Sequence, residues 1–423
     1  MRSRLFSPPG RTRLYAGLPL LLLLLLLGLW ALPGTRSRLL RVVSEGKRVA
    51  HHFEPAHTEW ETASPEAEGL DGGALDALRR ELESRRTRAF LVVRGNRLVY
   101  EWYPLARGPN APHYTASLAK GVAASLALLV ALGDSRLGLD DPASAYIPSW
   151  RKDSLRARIR IRDLLFHSSG VTDVDFVAGA AGRLSGWRAR YYRNPAERFR
   201  LAIGTAPIEF APGTRYAYSG VGYYALAYAL TAALRGTEQT DVRALLAERV
   251  MRPLGVPDED WRLSYGESYQ IDGMRLYALG SGGSYTARAE ARVGQLLLDR
   301  GEWEGRRLLE RRWVDALLTR DGAAPYVATE ICGRSAGCPE PPPGAPGGGW
   351  WLNLDGAWPS LPPDAFAAIG GGHQVLLVVP SLDLVAVRQG EMLSSPGEGF
   401  GTALRRHFFV PLAGAVTGPG SRR

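Results

Sequence analysis

Between Ser117 and Leu132 the chain carries one charged side chain, Lys120, in a run otherwise built of Ala, Leu, Val, Gly and Ser. The run ends at Gly133 and is too short to span a bilayer, which takes ~20 apolar residues. It therefore predicts a helix buried in the core of a folded domain, with glycine as its stop. Ser117 opens that helix, and Lys120 follows three positions later. Residues i and i+3 share one helix face about a turn apart, so the amine reaches the hydroxyl. Desolvation or a neighbouring cation makes such an amine a better proton acceptor, and a helix N-terminus favours negative charge developing on the serine.

Spacing alone does not single out this pair. All three lysines, Lys47, Lys120 and Lys152, have a serine three positions earlier, at Ser44, Ser117 and Ser149. Ser44 lies in a polar stretch with glycine inside the motif, and Ser149 follows Pro148 with no apolar helix after it. Lys120 alone rides on an apolar helix, in a chain that uses arginine almost everywhere else. A guanidinium could not give up its proton there. The competing reading is a helix lysine that reaches out to solvent.

A second candidate nucleophile is Ser335, in Gly333-Arg334-Ser335-Ala336-Gly337, with Asp383 and His407 downstream in the order of a Ser-Asp-His triad. Such an elbow needs a strand before it and a helix after it. Cys338-Pro339-Glu340-Pro341-Pro342-Pro343 follows, and prolines at that density exclude a helix. The seven histidines show no metal-ligand spacing, so no metal or other cofactor is expected.

The surrounding pattern is α+β. Asp71 caps a predicted helix to Leu82. Phe90–Val93 and Leu98–Tyr103 read as strands joined by a Gly95-Asn96 turn. Helical patterns occupy Tyr223–Leu234, Val242–Leu254 and Ala289–Leu298. Strand-like runs return at Trp350–Leu354, Ala365–Ile369, Val375–Val379 and Leu384–Arg388, before a last helix over Phe400–Phe409. Strands at both chain ends around a helical middle predict one shared sheet.

Arg2, Arg4, Arg11 and Arg13 precede an apolar run, Leu14 to Leu32, that includes eight consecutive leucines. This predicts an uncleaved signal anchor rather than a cleaved signal peptide. The expected organisation is an anchor at 1–33, a stalk at 34–64, a catalytic domain at 65–415 and a disordered tail at 416–423. The protein would then be single-pass, with its catalytic domain on the extracytoplasmic, periplasmic side. Cys332 and Cys338 stand close together in a Gly/Pro-rich loop, which fits a small-loop disulfide in an oxidising compartment or two unpaired thiols. The net charge of +10 is spread along the chain without a basic block interleaved with aromatics, so nucleic acid is not an expected partner.

The stretch Tyr114-Thr115-Ala116-Ser117-Leu118-Ala119-Lys120 resembles the first motif of serine β-lactamases, penicillin-binding proteins and their esterase relatives. Arg162-Asp163-Leu164-Leu165-Phe166-His167-Ser168-Ser169-Gly170 is similar to a scaffold signature of that superfamily, which makes His167 structural. Pro212 to Gly220, containing Tyr218-Ser219-Gly220, resembles the second motif, and Pro253-Leu254-Gly255-Val256 and Gly282-Gly283 fall in the family's order. Ala368-Ile369-Gly370-Gly371-Gly372-His373-Gln374 is similar to the third-motif strand, in the form found in esterases and 6-aminohexanoate-dimer hydrolases.

The resemblance implies a β-lactamase/DD-peptidase-like fold, an antiparallel sheet from both chain ends with a helical subdomain between. It also implies an acyl-enzyme on Ser117, with Lys120 and Tyr218 moving the proton. The oxyanion and substrate wall would be formed by Gly220, Gly371, Gly372 and His373. Two departures shape the expected substrate. Gly220 stands where many members have asparagine, and no Lys-Thr-Gly cation is present to hold a carboxylate, a role His373 could partly take. Both favour a neutral ester or amide over a β-lactam or a peptide. The alternatives are a D-Ala-D-Ala carboxypeptidase or β-lactamase, and an inactive module that binds cell-wall fragments.

Overall fold

The computed structural model describes residues 60–105, 107–174, 184–320, 323–325 and 344–419. The chain divides into two compact units, Met1–His57 and Thr58–Arg423, of which the first lies outside the described residues.

Asp71 accepts the N–H of Ala74 at 3.0 Å and starts helix α1, Gly72–Ser84, where the sequence places it. Strands β1 (Thr87–Arg94) and β2 (Arg97–Trp102) follow, paired antiparallel with Arg94 opposite Arg97. The two-residue turn between them has φ of 61° at both Gly95 and Asn96, the left-handed pair that a tight hairpin requires. A short strand β3 (His113–Ala116) runs into the expected buried helix. That helix begins as a π-helical stretch, Lys120–Ser125, and continues as α2, Leu126–Gly133. Every side chain from Leu118 to Leu132 is buried.

The middle of the chain is helical. Its central element is α3, Gly220–Ala233, capped by Ser219, whose Oγ accepts the N–H of Gly222 at 2.8 Å. Its apolar residues are distributed all round, which suits a helix enclosed by others. Strands β4 (Trp261–Arg262) and β5 (Gly283–Tyr285) join β3 in a small antiparallel sheet, β3-β5-β4. Helix α4, Ala287–Leu298, starts at Thr286, whose Oγ1 accepts the N–H of Ala289.

The chain then returns to the large sheet with β6 (Ala345–Pro346), β7 (Trp351–Leu352), β8 (Phe366–Gly370), β9 (Gln374–Val379) and β10 (Leu384–Gly390). The order β6-β7-β8-β9-β10-β1-β2 is antiparallel throughout and sets β1 directly beside β10. The two chain ends thus share one sheet, as expected. Alternation along the strands divides the interior in two. Leu91, Val93, Leu376, Val378, Val385 and Val387 face the helical middle. Phe90, Val92, Val375, Leu377, Leu384 and Ala386 face α1 and the C-terminal helical stretch that begins with α5, Phe400–Leu404.

Several expectations change. The single-pass, periplasmic membrane protein is not supported: among the described residues no helix is long and apolar enough to cross a membrane, and Leu14–Leu32 lies outside them. The end of the presumed stalk is folded: Trp60 is buried against Trp303 and Arg292, and Thr62 bridges Leu98 on β2. The first residues of the presumed tail are held too. Val416 bridges Leu70, and Arg94 donates to the Gly418 carbonyl at 2.7 Å. Cys332, Ser335 and Cys338 lie outside the described residues.

Candidate active site

Ser117 sits in the turn between β3 and the π-helical stretch, and its placement begins one residue earlier. Ala116 has φ of 46°, a left-handed conformation that a non-glycine residue adopts at a cost of ~1–3 kcal/mol. That kink turns the chain out of the strand and into the helix. Three groups then meet. Tyr218 O–H donates to Ser117 Oγ at 2.9 Å, and Lys120 Nζ donates to the same oxygen at 3.3 Å. Lys120 Nζ also donates to the Gly280 carbonyl at 2.5 Å, so the loop before β5 closes one side. The lysine is buried rather than reaching out to solvent.

Aromatic rings enclose this amine. Nζ lies 4.7 Å from the centroid of the Tyr218 ring and 5.2 Å from that of Tyr223, where the ring faces attract a cation. His167 stacks on both rings, at 4.5 Å and 4.8 Å, and its Nδ1 accepts the N–H of Ser219 at 3.0 Å. Burial, reinforced by the Lys120 charge, pushes His167 well below its ordinary value and keeps its ring neutral. Tyr223 is fixed in turn by its O–H donating to the Leu165 carbonyl at 2.9 Å. His167 is thus a brace behind Tyr218.

Gly220, the first residue of α3, has no side chain to offer, and Asp173 lies over it. Val221 N–H donates to Asp173 Oδ1 at 3.2 Å. Burial raises the Asp173 carboxyl, while the N–H groups of Gly220, Val221 and Val174 and the charge of Lys120 work in the opposite direction.

The sheet supplies the opposite wall. A Cβ on Gly370, at the end of β8, would collide with the Thr115 carbonyl oxygen and press on Ser117 N, so only glycine lets the strand come this close. Gly371 and Gly372 follow; Gly372 has φ of 82°, and a Cβ there would strike the Tyr114 hydroxyl. Arg388, fully buried on β10, donates to the carbonyls of Gly372 at 2.7 Å, His373 at 2.9 Å and Glu391 at 2.6 Å. Its cation therefore braces the turn from behind.

His373 is not brought to Ser117. Its ring is fully buried and stacks on Phe400 at 3.8 Å. Its Nδ1 accepts the N–H of Leu393 at 3.1 Å, and its Nε2 meets the Phe400 carbonyl at 3.0 Å. Burial brings it down to about 4, so it is neutral near pH 7. It cannot replace a carboxylate-binding cation, because both nitrogens already serve backbone groups. The triad reading through Ser335 loses a partner as well: the ring nitrogens of His407 face Glu81 at 3.0 Å and Glu398 at 3.2 Å.

The β-lactamase family model matches residues 75–405. The chain belongs to the β-lactamase family. It is 25% identical over 258 residues to the 6-aminohexanoate-dimer hydrolase of Paenarthrobacter ureafaciens, covering 58% of this chain and 60% of that one. The match thus spans less than two thirds of that relative's length. Its fold is similar to a penicillin-binding protein homologue from Caulobacter crescentus (TM-score 0.56, 17% identity, 82% of this chain and 98% of that one). It is similar also to a family VIII carboxylesterase (TM-score 0.56, 15% identity, 84% and 99%).

Sequence reasoning did not find Asp173, Tyr223, Arg388 or the Gly280 carbonyl. Arg388 had a signal, as the one charge in the apolar strand Leu384–Gly390. A carbonyl that any residue carries had none.

Proposed function

We propose that the protein hydrolyses a small neutral carboxylic ester or amide through an acyl-enzyme on Ser117. The observation that carries this reading is the convergence of Tyr218 O–H and Lys120 Nζ on Ser117 Oγ. Attack on a carbonyl requires the Oγ proton to leave for a neighbour within hydrogen-bond reach, and these two groups are that neighbour. They act as one pair. The proton passes from Ser117 to the pair as the new C–O bond forms. It goes on to the leaving alkoxide or amine as the old bond breaks. Water then enters and gives a proton to the same pair as its oxygen bonds to the acyl carbon, and the pair returns that proton to Ser117 Oγ as the acyl C–O bond breaks and the acid leaves.

The tetrahedral oxyanion needs two donors. The Ser117 N–H and the Gly371 N–H are proposed for it, with Gly370 allowing the strand to approach. The preference for neutral substrates rests on the sheet wall. The strand Phe366–Gly370 that leads into it carries no lysine, and the Arg388 cation is occupied by backbone carbonyls. The name of the Paenarthrobacter relative, a 6-aminohexanoate-dimer hydrolase, supports an amide or ester bond as the target.

The test is intact-mass analysis after incubation with a fluorophosphonate and, separately, with a penicillin, followed by peptide mapping. The expected result is a fluorophosphonate adduct on Ser117 that disappears in Ser117→Ala, with no penicillin adduct. An adduct on Ser335, or none on folded protein, would sink the proposal. A stable penicillin adduct on Ser117 would keep the nucleophile and overturn the substrate class.

A further inference from the structure

Two exposed tyrosines flank the Ser117 turn, each seated on a glycine of a loop that borders it. Tyr265 has φ of 52° and follows Ser264 at 54°. Two consecutive left-handed residues that are not glycine persist only where their surroundings hold them. Here the loop before β5 does so: Ser264 Oγ accepts the N–H of Ala278 at 3.1 Å, and Tyr265 N–H donates to the Gly282 carbonyl. The strained turn nonetheless leaves Tyr265 58% exposed, so its ring adds little to the core. The ring rests on Gly282, at φ 89°, where a Cβ would come within 3.3 Å of its Cδ2 and Cε2. The same loop offers the Gly280 carbonyl to Lys120 Nζ, and Gly283 pairs with Ala116 beside Ser117. Tyr114, on β3, is the counterpart. Thr115 turns inward against Gly283, so Tyr114 turns outward and stays 38% exposed. Its hydroxyl donates to the Gly390 carbonyl at 3.3 Å and takes the space that a Cβ on Gly372 would need. Gly372 is again at positive φ, and a Cβ on Gly371 before it would lie 3.6 Å from that of Ala116. The register sets Tyr114 opposite Ser284, two residues beyond the glycine under Tyr265.

We propose that Tyr114 and Tyr265 form an apolar rim that determines specificity, holding the alkyl or aryl group of the ester or amide whose carbonyl sits at Ser117. This deepens the acyl-enzyme reading above and rests on it. The two loops that border Ser117 each carry a glycine whose missing side chain makes room for a tyrosine, one at Gly282 and one at Gly372. A tyrosine presents an apolar ring while its hydroxyl stays in water, so it stays exposed over an empty site and covers a chain in a filled one. The strain at Ser264 and Tyr265 thereby seats a ring beside the loop that holds Lys120, where the core gains little from it. Neither ring offers a cation, which suits a neutral substrate. The group held belongs either to the acyl part or to the leaving alcohol or amine, and the experiment separates the two.

The experiment uses the full chain and two ester series. One lengthens the acyl part on a constant leaving group: p-nitrophenyl acetate, butyrate and hexanoate. The other lengthens the alcohol on a constant acyl group: methyl, butyl and hexyl acetate. In wild type, kcat/KM is expected to rise with chain length in one series, which names the side the rim serves. Tyr265→Asn removes the ring with a residue that tolerates the left-handed backbone. It is expected to lower the ratio of kcat/KM for the longest to the shortest ester of that series by about tenfold, the effect of one lost methylene contact or a little more. Tyr265→Phe keeps the ring and is expected to keep the wild-type ratio. Tyr114→Ala is expected to lower the ratio in the same direction, and Tyr114→Phe, which loses only the bond to Gly390, to keep it. A fall in kcat/KM that is equal for every ester means that the tyrosines only hold their loops, and it overturns the proposal. Wild type with no rise in either series overturns it equally. Wild-type protein that takes no fluorophosphonate on Ser117 overturns the acyl-enzyme reading. A labelled wild type with unmoved ratios in Tyr265→Asn and Tyr114→Ala overturns the rim alone.

Discussion

On the helical side of Ser117 lie Lys120, Tyr218, His167 and Tyr223; on the sheet side lie Gly370, Gly371, Gly372, His373 and Arg388. The helical side packs aromatic faces around a buried amine, and two of its polar groups, Lys120 Nζ and Tyr218 O–H, reach Ser117 Oγ. The sheet side turns its charged and titratable groups away, onto backbone carbonyls and N–H groups, and offers the site only main chain. The two histidines show the contrast best. Both are buried, both are pushed down by burial, and both have left-handed backbones, φ 56° at His167 and 53° at His373. One braces Tyr218 while the other fastens the C-terminal segment. A histidine's role in this fold follows from what its ring touches, which neither its residue type nor its local conformation reveals.

If the helical side carries the chemistry, its variants lose turnover with the fold intact. Ser117→Ala is expected to abolish ester hydrolysis and labelling. Tyr218→Phe removes one proton-handling group and is expected to lower kcat by about 10²–10⁴, with KM within a few-fold, measured by steady-state kinetics beside a thermal melt. A Tyr218→Phe variant with normal kcat would move the proton transfer to Lys120 alone and break the comparison at its strongest point.

On the sheet side, position rather than chemistry decides. Gly370→Ala puts a methyl group into the Thr115 carbonyl and is expected to cost about 3 kcal/mol of stability. Gly371→Ala, whose Cβ would lie 3.6 Å from the Ala116 Cβ, is expected to be far milder. Chemical denaturation of both variants checks this, and equal losses would show that the strand tolerates a shift. The histidines give a finer test. His167→Ala is expected to lower kcat by up to about 10², because a slightly misplaced Tyr218 is enough. His373→Ala is expected to lose about 2–3 kcal/mol of stability from two buried hydrogen bonds, with kcat of the folded protein unchanged. A reversal of that pattern would return His373 to the site.

The sheet and the nucleophilic helix were legible because each follows from an apolar run or a local turn signal: the short apolar runs Val375–Val379 and Leu384–Val387, the Gly95-Asn96 hairpin, the longer apolar run after Ser117. Ser117, Lys120 and Tyr218 were legible through motif order, and the structure brings all three together. His373 was misplaced because the motif fixes its position in sequence but not the face its ring takes. Tight turns of this kind, with Gly372 and His373 both at positive φ, redirect side chains in ways no alternation pattern records. Asp173 was missed because what it holds is backbone, and a contact made across 48 residues by the Val221 N–H leaves no residue-type signature.

The last test concerns a second buried acid, behind the sheet wall. Glu290, on α4, is fully buried, and burial pushes it up to about 8, opposed by the Gln389 side chain. The sign follows from linkage. The unfolded chain loses this proton near the ordinary value of 4.5, whereas the folded protein keeps it until about 8. Stability therefore falls as pH rises between those values, by about 3 kcal/mol at pH 7. Glu290→Gln has no proton to lose and is expected to melt higher than wild type at pH 7–8, with the gap closing toward pH 5. His373 acts in the opposite direction. Its depressed value of about 4 means that stability is present above the ordinary 6.5 and is lost as pH falls toward 4. Melting curves from pH 5 to 8 on both variants separate the two terms. A Glu290→Gln advantage that does not grow with pH would mean that Glu290 is ionised in the fold. The core between the sheet and the helical middle would then hold a buried negative charge, and any pH dependence of stability in this range would have to come from other groups.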